Sequence, residues 1–308
     1  MGLCLTSQTR RRRKEYVVAM RDYVIATESN ADLDEAFVKE HGICVIPHYY
    51  TLDDDEYGDE KVLTPHEFYD EMRAGKKAGT MASNPAVILE KFEQIAKEGK
   101  DILFISFSSA LSSGINNIRN GGEEVMEAHP EMKIVVIDTL SASACEGMMI
   151  RKAVQMRADG KSMDETAAWI GEHVKYLCAL FTVEDLQYLY RGGRLSKSSA
   201  ILGGMINIKP ILHINDEGKL VPLEKVRGRK KSLSVLIDHM AEQIGSFKDQ
   251  QLLPSVIHGD CEEDANAVAQ MIKERFGYEK VQVAQIGPSI GAHSGPGTIG
   301  VLFMGEKR

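Results

Sequence analysis

Short apolar runs alternate with amphipathic stretches over the first half of the chain. "YVIATES" reads as a strand, and "DLDEAFVKEHG" as a helix that Gly42 ends. "ICVIPHYY" predicts the next strand, and "TLDDDEYGDEKVL" an acidic surface excursion. "TPHEFYDEMRAG" opens with a capping box: Thr64 as N-cap, Pro65 at N1 and Glu67 at N3. "NPAVILEKFEQIAKEGK" repeats the pattern with Asn84 and Pro85. "DILFISFS" and "KIVVIDT" are continuous apolar runs of the kind that buried parallel strands show. Strand and helix taking turns predict a parallel sheet with helices on both faces. In such sheets ligands bind beyond the carboxyl ends of the strands.

The rhythm changes after the capping box Ser162 to Glu165 and the run "CALFTV". "VEDLQYLYRGG" predicts a helix that stops at Gly192, and "KSSAILGGMINI" follows it. "KPILHINDEGKLVPLEKV" predicts a hairpin turning at Asn215 to Gly218. A helix, a strand, a helix and a glycine-rich closing strand complete the chain. The expected fold is α/β: an N-terminal, Rossmann-like parallel-sheet domain over 16–172, and a mixed α/β domain over 173–308. Residues 1–15 read as a flexible basic leader. They begin M-G-x-x-x-[ST], an acylation pattern, and carry the basic run Arg10 to Lys14.

Composition narrows the function classes. The 308 residues suffice for two domains and a core. A net charge of −8 and a single tryptophan argue against nucleic acid as a partner. No apolar run reaches the ~18 residues of a membrane span. The five cysteines, Cys4, Cys44, Cys145, Cys178 and Cys261, are widely spaced without a CxxC. That usage suits a reducing, cytoplasmic compartment and core-filling thiols.

The candidate chemistry gathers at one strand end. In "SFSSALSSG", which begins at Ser106, five serines fall within eight residues: Ser106, Ser108, Ser109, Ser112 and Ser113. Hydroxyls beside a helix N-terminus can hold a carboxylate or phosphate. They can also merely cap the helix. A hydrolase would need a G-x-S-x-G elbow, and none surrounds the serines of this loop; a nucleoside-triphosphate site of the P-loop kind would need G-x-x-x-x-G-K-[ST], which does not occur. "GAHSGPGTIG" precedes the last strand and makes a poor dinucleotide site. His258 and Asp260 in "HGD" lack a third ligand at metal spacing. His293 sits among Gly291, Gly295 and Gly297, where backbone can approach a ligand closely.

Several segments, in order, resemble the DegV family. "TESNADL" is similar to its T-D-S-T-A-D-L, "SSALSSG" to its S-S-x-L-S-G-T, and "DTLSAS" to its D-S-x-S-A-S. "DLQYLYRGGRLSK", "NIKPIL", "PLEKVRGRKK" and "IGPSIGAHSGPGTIGVLF" carry the likeness to the end of the chain. The resemblance implies a two-domain α/β protein that binds one long-chain fatty acid and needs no cofactor. Such a protein is non-catalytic. It presents the acyl carboxylate to a separate fatty-acid kinase, whose acyl phosphate product feeds phospholipid synthesis. Thr80 and Ser112 match positions that contact the carboxylate, and Ser113 and His293 lie beside them. Arg191, Arg194 and Arg227 match basic residues that face the kinase or, transiently, the membrane. The chain departs from the family pattern at "TMASNP", at Ser113-Gly114 and at Thr27-Glu28-Ser29.

Such a ligand needs a dry channel and an anion site. Burying ~15 methylenes at ~0.8 kcal/mol each gives on the order of 12 kcal/mol before association costs. The carboxylate requires partners, because a bare buried charge is too costly. Neutral donors at the serine loop are expected to supply them. Met148, Met149, Met205 and Ile206 are candidates for the channel wall, or for ordinary core. A serine-dependent lipid esterase and a sugar or phosphate binder are the competing readings.

Overall fold

The structure is a computed structural model; it describes residues 21–58, 61–196 and 207–308. The basic leader, Cys4, Met205 and Ile206 lie outside the described residues.

The N-terminal half builds the predicted parallel sheet. Its strands are β1 (Tyr23–Glu28), β2 (Cys44–Ile46), β6 (Asp101–Ser106) and β7 (Ile134–Asp138), in the order β2-β1-β6-β7. Every pairing is parallel, with Ile25 opposite Leu103 and Phe104 opposite Val136. All six residues of β6 are buried, as its unbroken apolar run requires. Capping follows the sequence closely. The helix α1 (Glu35–His41) ends on Gly42 at φ 59°, and α2 (Pro65–Arg73) starts with the Thr64–Glu67 box. Asn84 caps α3 (Pro85–Lys97), and Ser162–Glu165 form the box that starts α6 (Met163–His173).

One segment differs from its expectation. "ICVIPHYY" is two strands rather than one. It breaks at Pro47, and β3 (Tyr49–Leu52) joins a separate antiparallel sheet with β4 (Asp55–Tyr57) and β5 (Ala78–Met81). Proline cannot donate a ladder hydrogen bond, so the chain changes sheet there. The acidic excursion is thus a folded cap. Tyr50, Leu52, Tyr57, Phe68, Tyr69 and Met72 give it a core of its own, which also takes in Ala292 from the far end of the chain.

The second half forms a six-stranded sheet in the order β10-β9-β8-β13-β11-β12. Its strands are β8 (Leu177–Thr182), β9 (Ile208–Ile214), β10 (Leu220–Arg227), β11 (Ser255–His258), β12 (Gln282–Gln285) and β13 (Ile299–Met304). Only β11 and β12 run parallel, so the sheet is mixed. The predicted hairpin turns where expected, with Gly218 at φ 75° and its N–H donated to Asn215 O at 2.9 Å. Helices α8 (Arg229–Gln243) and α9 (Glu262–Phe276) cover one face.

Between the two sheets lies α5 (Ala144–Ala158), buried through its first two turns and exposed only at Gln155 and Ala158. Met148 and Met149 fill a core shared by Ile25, Leu103 and Ile105 of the first sheet and Leu177, Ala179 and Leu302 of the second. Both methionines are therefore core residues.

Candidate functional site

A cavity opens where the carboxyl ends of the parallel strands meet the inner face of the six-stranded sheet. Phe107, Leu111, Ala142, Ala179, Phe181, Leu189, Ile214, Leu220, Ile257, Ile286, Ile290 and Leu302 give it apolar walls. It holds about 790 Å³ of atom-free space, part of it open to solvent. Small-molecule sites span roughly 300–1,000 Å³.

Polar residues converge at one side. Thr80 on β5 and His293 on the short helix α10 (Pro288–Ser294) share a 2.8 Å hydrogen bond between Oγ1 and Nε2, and both line the cavity. Ser112 lines it too. Its Oγ accepts the Gly114 N–H at 3.1 Å, at the start of α4 (Gly114–Ala128). So three sequence-predicted residues, from three separate parts of the chain, line one cavity, and two of them touch.

The rest of the serine loop has other work. Ser106 Oγ donates to Glu28 Oε1 at 3.2 Å, and Ser108 Oγ to Gly218 O at 2.9 Å, which docks the β9–β10 turn. Ser109 is exposed. Ser113, expected at the head group, is exposed at the N-cap of α4 and does not line the cavity. Of the five serines only Ser112 lines the cavity.

A second correction concerns charge. Neutral donors alone were expected, but Arg194 lines the same cavity. Its Nε donates to Leu111 O at 3.0 Å and its Nη1 to Gly192 O. Among the described residues it meets no carboxylate, and burial lowers its pKa. The guanidinium is a half-buried cation whose counter-charge a ligand can supply. The turn that carries it fits tightly: a Cβ on Gly192 would run into the His293 imidazole. Arg191 lies on the neighbouring surface, over the Tyr188 ring at 4.9 Å. Arg227 ends β10, exposed, and lines none of these walls.

Sequence reasoning missed Asn30, His48 and Ser289. All three line the cavity. His48 Nδ1 and Ser289 Oγ are 2.5 Å apart, while His48 Nε2 and Asn30 Oδ1 are buried without partners among the described residues. For Asn30 and His48 the signal was position alone, just beyond the carboxyl ends of β1 and β2, whereas Ser289 stands in the G-x-S-x-G run Gly287–Gly291 at the start of the helix Pro288–Ser294. Burial pushes the His48 pKa down to about 4, with Arg194 adding to it. It pushes His293 down to about 3, helped by Arg194 and His48. Both imidazoles are neutral near pH 7, which leaves Arg194 as the cation of the site.

The metal reading gains a partial cluster. His66 and Asp70 approach Asp260, but Arg73 Nη1 already bonds Asp260 Oδ2 at 2.5 Å and Asp70 Oδ1 at 3.0 Å. This is an ion-pair clasp between α2 and the turn after β11. Instead of a ligand role, His258 is buried and its Nδ1 accepts the Cys261 N–H. Burial raises the thiols of Cys44, Cys145 and Cys261 to about 11 and Cys178 to about 12, which disfavours the thiolate; Cys145 and Cys178 are buried and Cys44 and Cys261 partly so.

Comparisons with known proteins agree on one family. A family model described as "Uncharacterised protein, DegV family" matches residues 22–306. A DegV domain-containing protein of Clostridium perfringens is 38% identical over 291 residues, covering 94% of this chain and 99% of the relative. Among solved structures, a DegV family protein from Thermus thermophilus, named for fatty acid binding, superposes with a TM-score of 0.82 at 25% identity. That match covers 93% of this chain and 100% of the other. A Thermotoga maritima protein, also described by a fatty acid binding function, gives 0.78 at 27% identity, with 92% and 99% covered.

Proposed function

Since the chain belongs to the DegV family, we propose that it binds one long-chain fatty acid in the cavity between its sheets. One observation carries the reading: a single cavity joins extensive apolar walls to Thr80, Ser112, His293 and Arg194. The chain would leave water along the apolar walls, and the carboxylate would be held by two hydroxyls, a neutral imidazole and a guanidinium. A hydrogen bond to a charged group contributes about 1.5–3 kcal/mol, so these contacts fix the head group while the tail supplies most of the affinity. Solved relatives named for fatty acid binding support this ligand class.

The protein itself would be a non-catalytic carrier. A separate fatty-acid kinase would transfer the γ-phosphoryl group of ATP to the held carboxylate. A carboxylate oxygen attacks phosphorus, the bond to ADP breaks, and acyl phosphate results. Arg191 and Arg227, both exposed and basic on an acidic chain, would dock that kinase or an anionic bilayer. The esterase reading is incomplete: among the described residues the Ser112 hydroxyl has no histidine partner and His293 bonds Thr80, while Ser289 does pair with His48 but no carboxylate holds the other nitrogen of that ring.

Denaturing extraction of purified protein followed by mass spectrometry tests the reading. A stoichiometric free fatty acid is expected. An extract without lipid, together with no binding of added palmitate by calorimetry, would overturn it.

A further inference from the structure

A second hollow lies against the polar side of the cavity and shares Thr80, Arg194 and His293 with it. Its other walls include Lys76, Lys77, Tyr188 and Arg191. It holds about 820 Å³ of atom-free space, including open solvent. Four cations line it and no carboxylate does, on a chain whose net charge is −8. Lys76 is paired with Glu71 at 2.7 Å. Among the described residues, Lys77, Arg191 and Arg194 have no ion-pair partner.

A carboxylate brings one negative charge, which Arg194 alone can balance. The remaining unpaired cations, Lys77 and Arg191, line this second hollow and not the apolar cavity, while Thr80 and His293 line both. Phosphorylation adds about −1.5 to −2 charges and three acceptor oxygens. Arginine and lysine around one concavity suit such a group, by bidentate contact and by point charge.

We propose that this hollow is a phosphoryl-binding site, built to hold a phosphate group at the head of the bound acyl chain. The proposal rests on the fatty-acid reading of the main cavity. The phosphoryl group has two possible sources, the acyl phosphate itself or the phosphate chain of a donor nucleotide.

The test titrates delipidated protein with palmitate and with a β-ketophosphonate of matched chain length, a stable mimic of the acyl phosphate. Tripolyphosphate is titrated into palmitate-loaded protein as the second arm. The variant is the double substitution Lys77→Gln, Arg191→Gln, which touches neither apolar wall nor carboxylate partner. Wild-type protein is expected to bind the phosphonate, and the variant to lose at least tenfold in that affinity while palmitate changes less than twofold. Loss confined to tripolyphosphate assigns the hollow to the donor's phosphates instead, still a phosphoryl site. No difference between wild type and variant in either arm overturns the proposal, as does an equal loss for palmitate. Wild-type protein that binds palmitate but neither phosphorus probe sinks this proposal alone. Protein that binds neither palmitate nor the phosphonate sinks the fatty-acid reading with it.

Discussion

Thr80 Oγ1 and His293 Nε2, 213 residues apart in the chain, lie 2.8 Å from one another on the polar side of the cavity. One comes from the cap sheet and the other from α10, so the bond ties the cap to the last helix at the point where a ligand's head group would sit. Replacing Thr80 with valine keeps the shape and removes the hydroxyl. The imidazole then has a buried nitrogen without a partner, which costs about 1–3 kcal/mol. Thr80→Val is expected to weaken palmitate binding by roughly tenfold, read by isothermal titration of delipidated protein. An unchanged dissociation constant would remove Thr80 from the site.

Gly192 and Gly193 separate two roles that a glycine can have. Gly193 sits at φ 72° with open space where a Cβ would go, whereas Gly192 has ordinary backbone geometry and the His293 ring in that space. Gly193→Ala should cost about 1–2 kcal/mol of stability through left-handed strain and leave ligand affinity alone. Gly192→Ala should cost about 1–3 kcal/mol through overpacking and also displace the imidazole from Thr80, so affinity falls. Urea unfolding with parallel palmitate titrations checks both. Identical effects of the two substitutions would show that the imidazole has room to yield.

Arg194 is expected to matter more to the bound state than to the fold. It has hydrogen bonds to two carbonyls but no carboxylate among the described residues. Removing one partner of a buried ion pair costs about 3–5 kcal/mol. Arg194→Met should therefore lower palmitate affinity by about a hundredfold or more, while the melting temperature of delipidated protein moves little. The measurement is the palmitate-induced rise in melting temperature, which should nearly vanish. A rise equal to that of wild type would place the carboxylate elsewhere.

Much of the fold was legible because the signals are local. The boxes at Thr64–Glu67 and Ser162–Glu165, the stop at Gly42 and the turn at Gly218 each depend on residues within one turn of chain. The break in "ICVIPHYY" was not, since both halves have strand propensity and only the tertiary pairing of Tyr49–Leu52 with Ala78–Met81 separates them. Thr80, Ser112 and His293 were singled out through motif likeness, which carries position but not burial. That is why Ser113 was placed beside them although it faces solvent. Arg194 was expected at a docking face. It reaches the cavity because the turn after α7 (Gln187–Arg191) folds back against α10, a contact that no local pattern announces.

The departure at Glu28 leads to a pH prediction. Glu28 is buried beneath the serine loop, where it accepts from Ser106 Oγ and the Phe107 N–H, each at 3.2 Å. Glu146 and Asp138 face it. Burial dominates and raises its pKa from 4.5 to about 7. A carboxyl whose folded pKa lies above its unfolded value holds its proton longer in the folded state. Its contribution to stability is fully present below pH 4.5 and is lost as pH rises towards 7. His293 acts in the opposite sense. Its folded pKa of about 3 lies below the unfolded 6.5, so the unfolded chain takes up that proton first. Stability from this group is present above pH 6.5 and is lost as pH falls towards 3. Each group contributes a slope of at most about 1.4 kcal/mol per pH unit. Unfolding free energies of Glu28→Gln, measured from pH 4.5 to 7 and taken relative to wild type, should climb with pH. Those of His293→Asn, relative to wild type, should decline over the same range. Subtraction cancels the titrations that the substitutions leave undisturbed; Glu146, which faces Glu28, and His48, which faces His293, titrate jointly with the group removed and contribute to its difference curve. Difference curves that stay level would mean that neither group changes its proton affinity on folding.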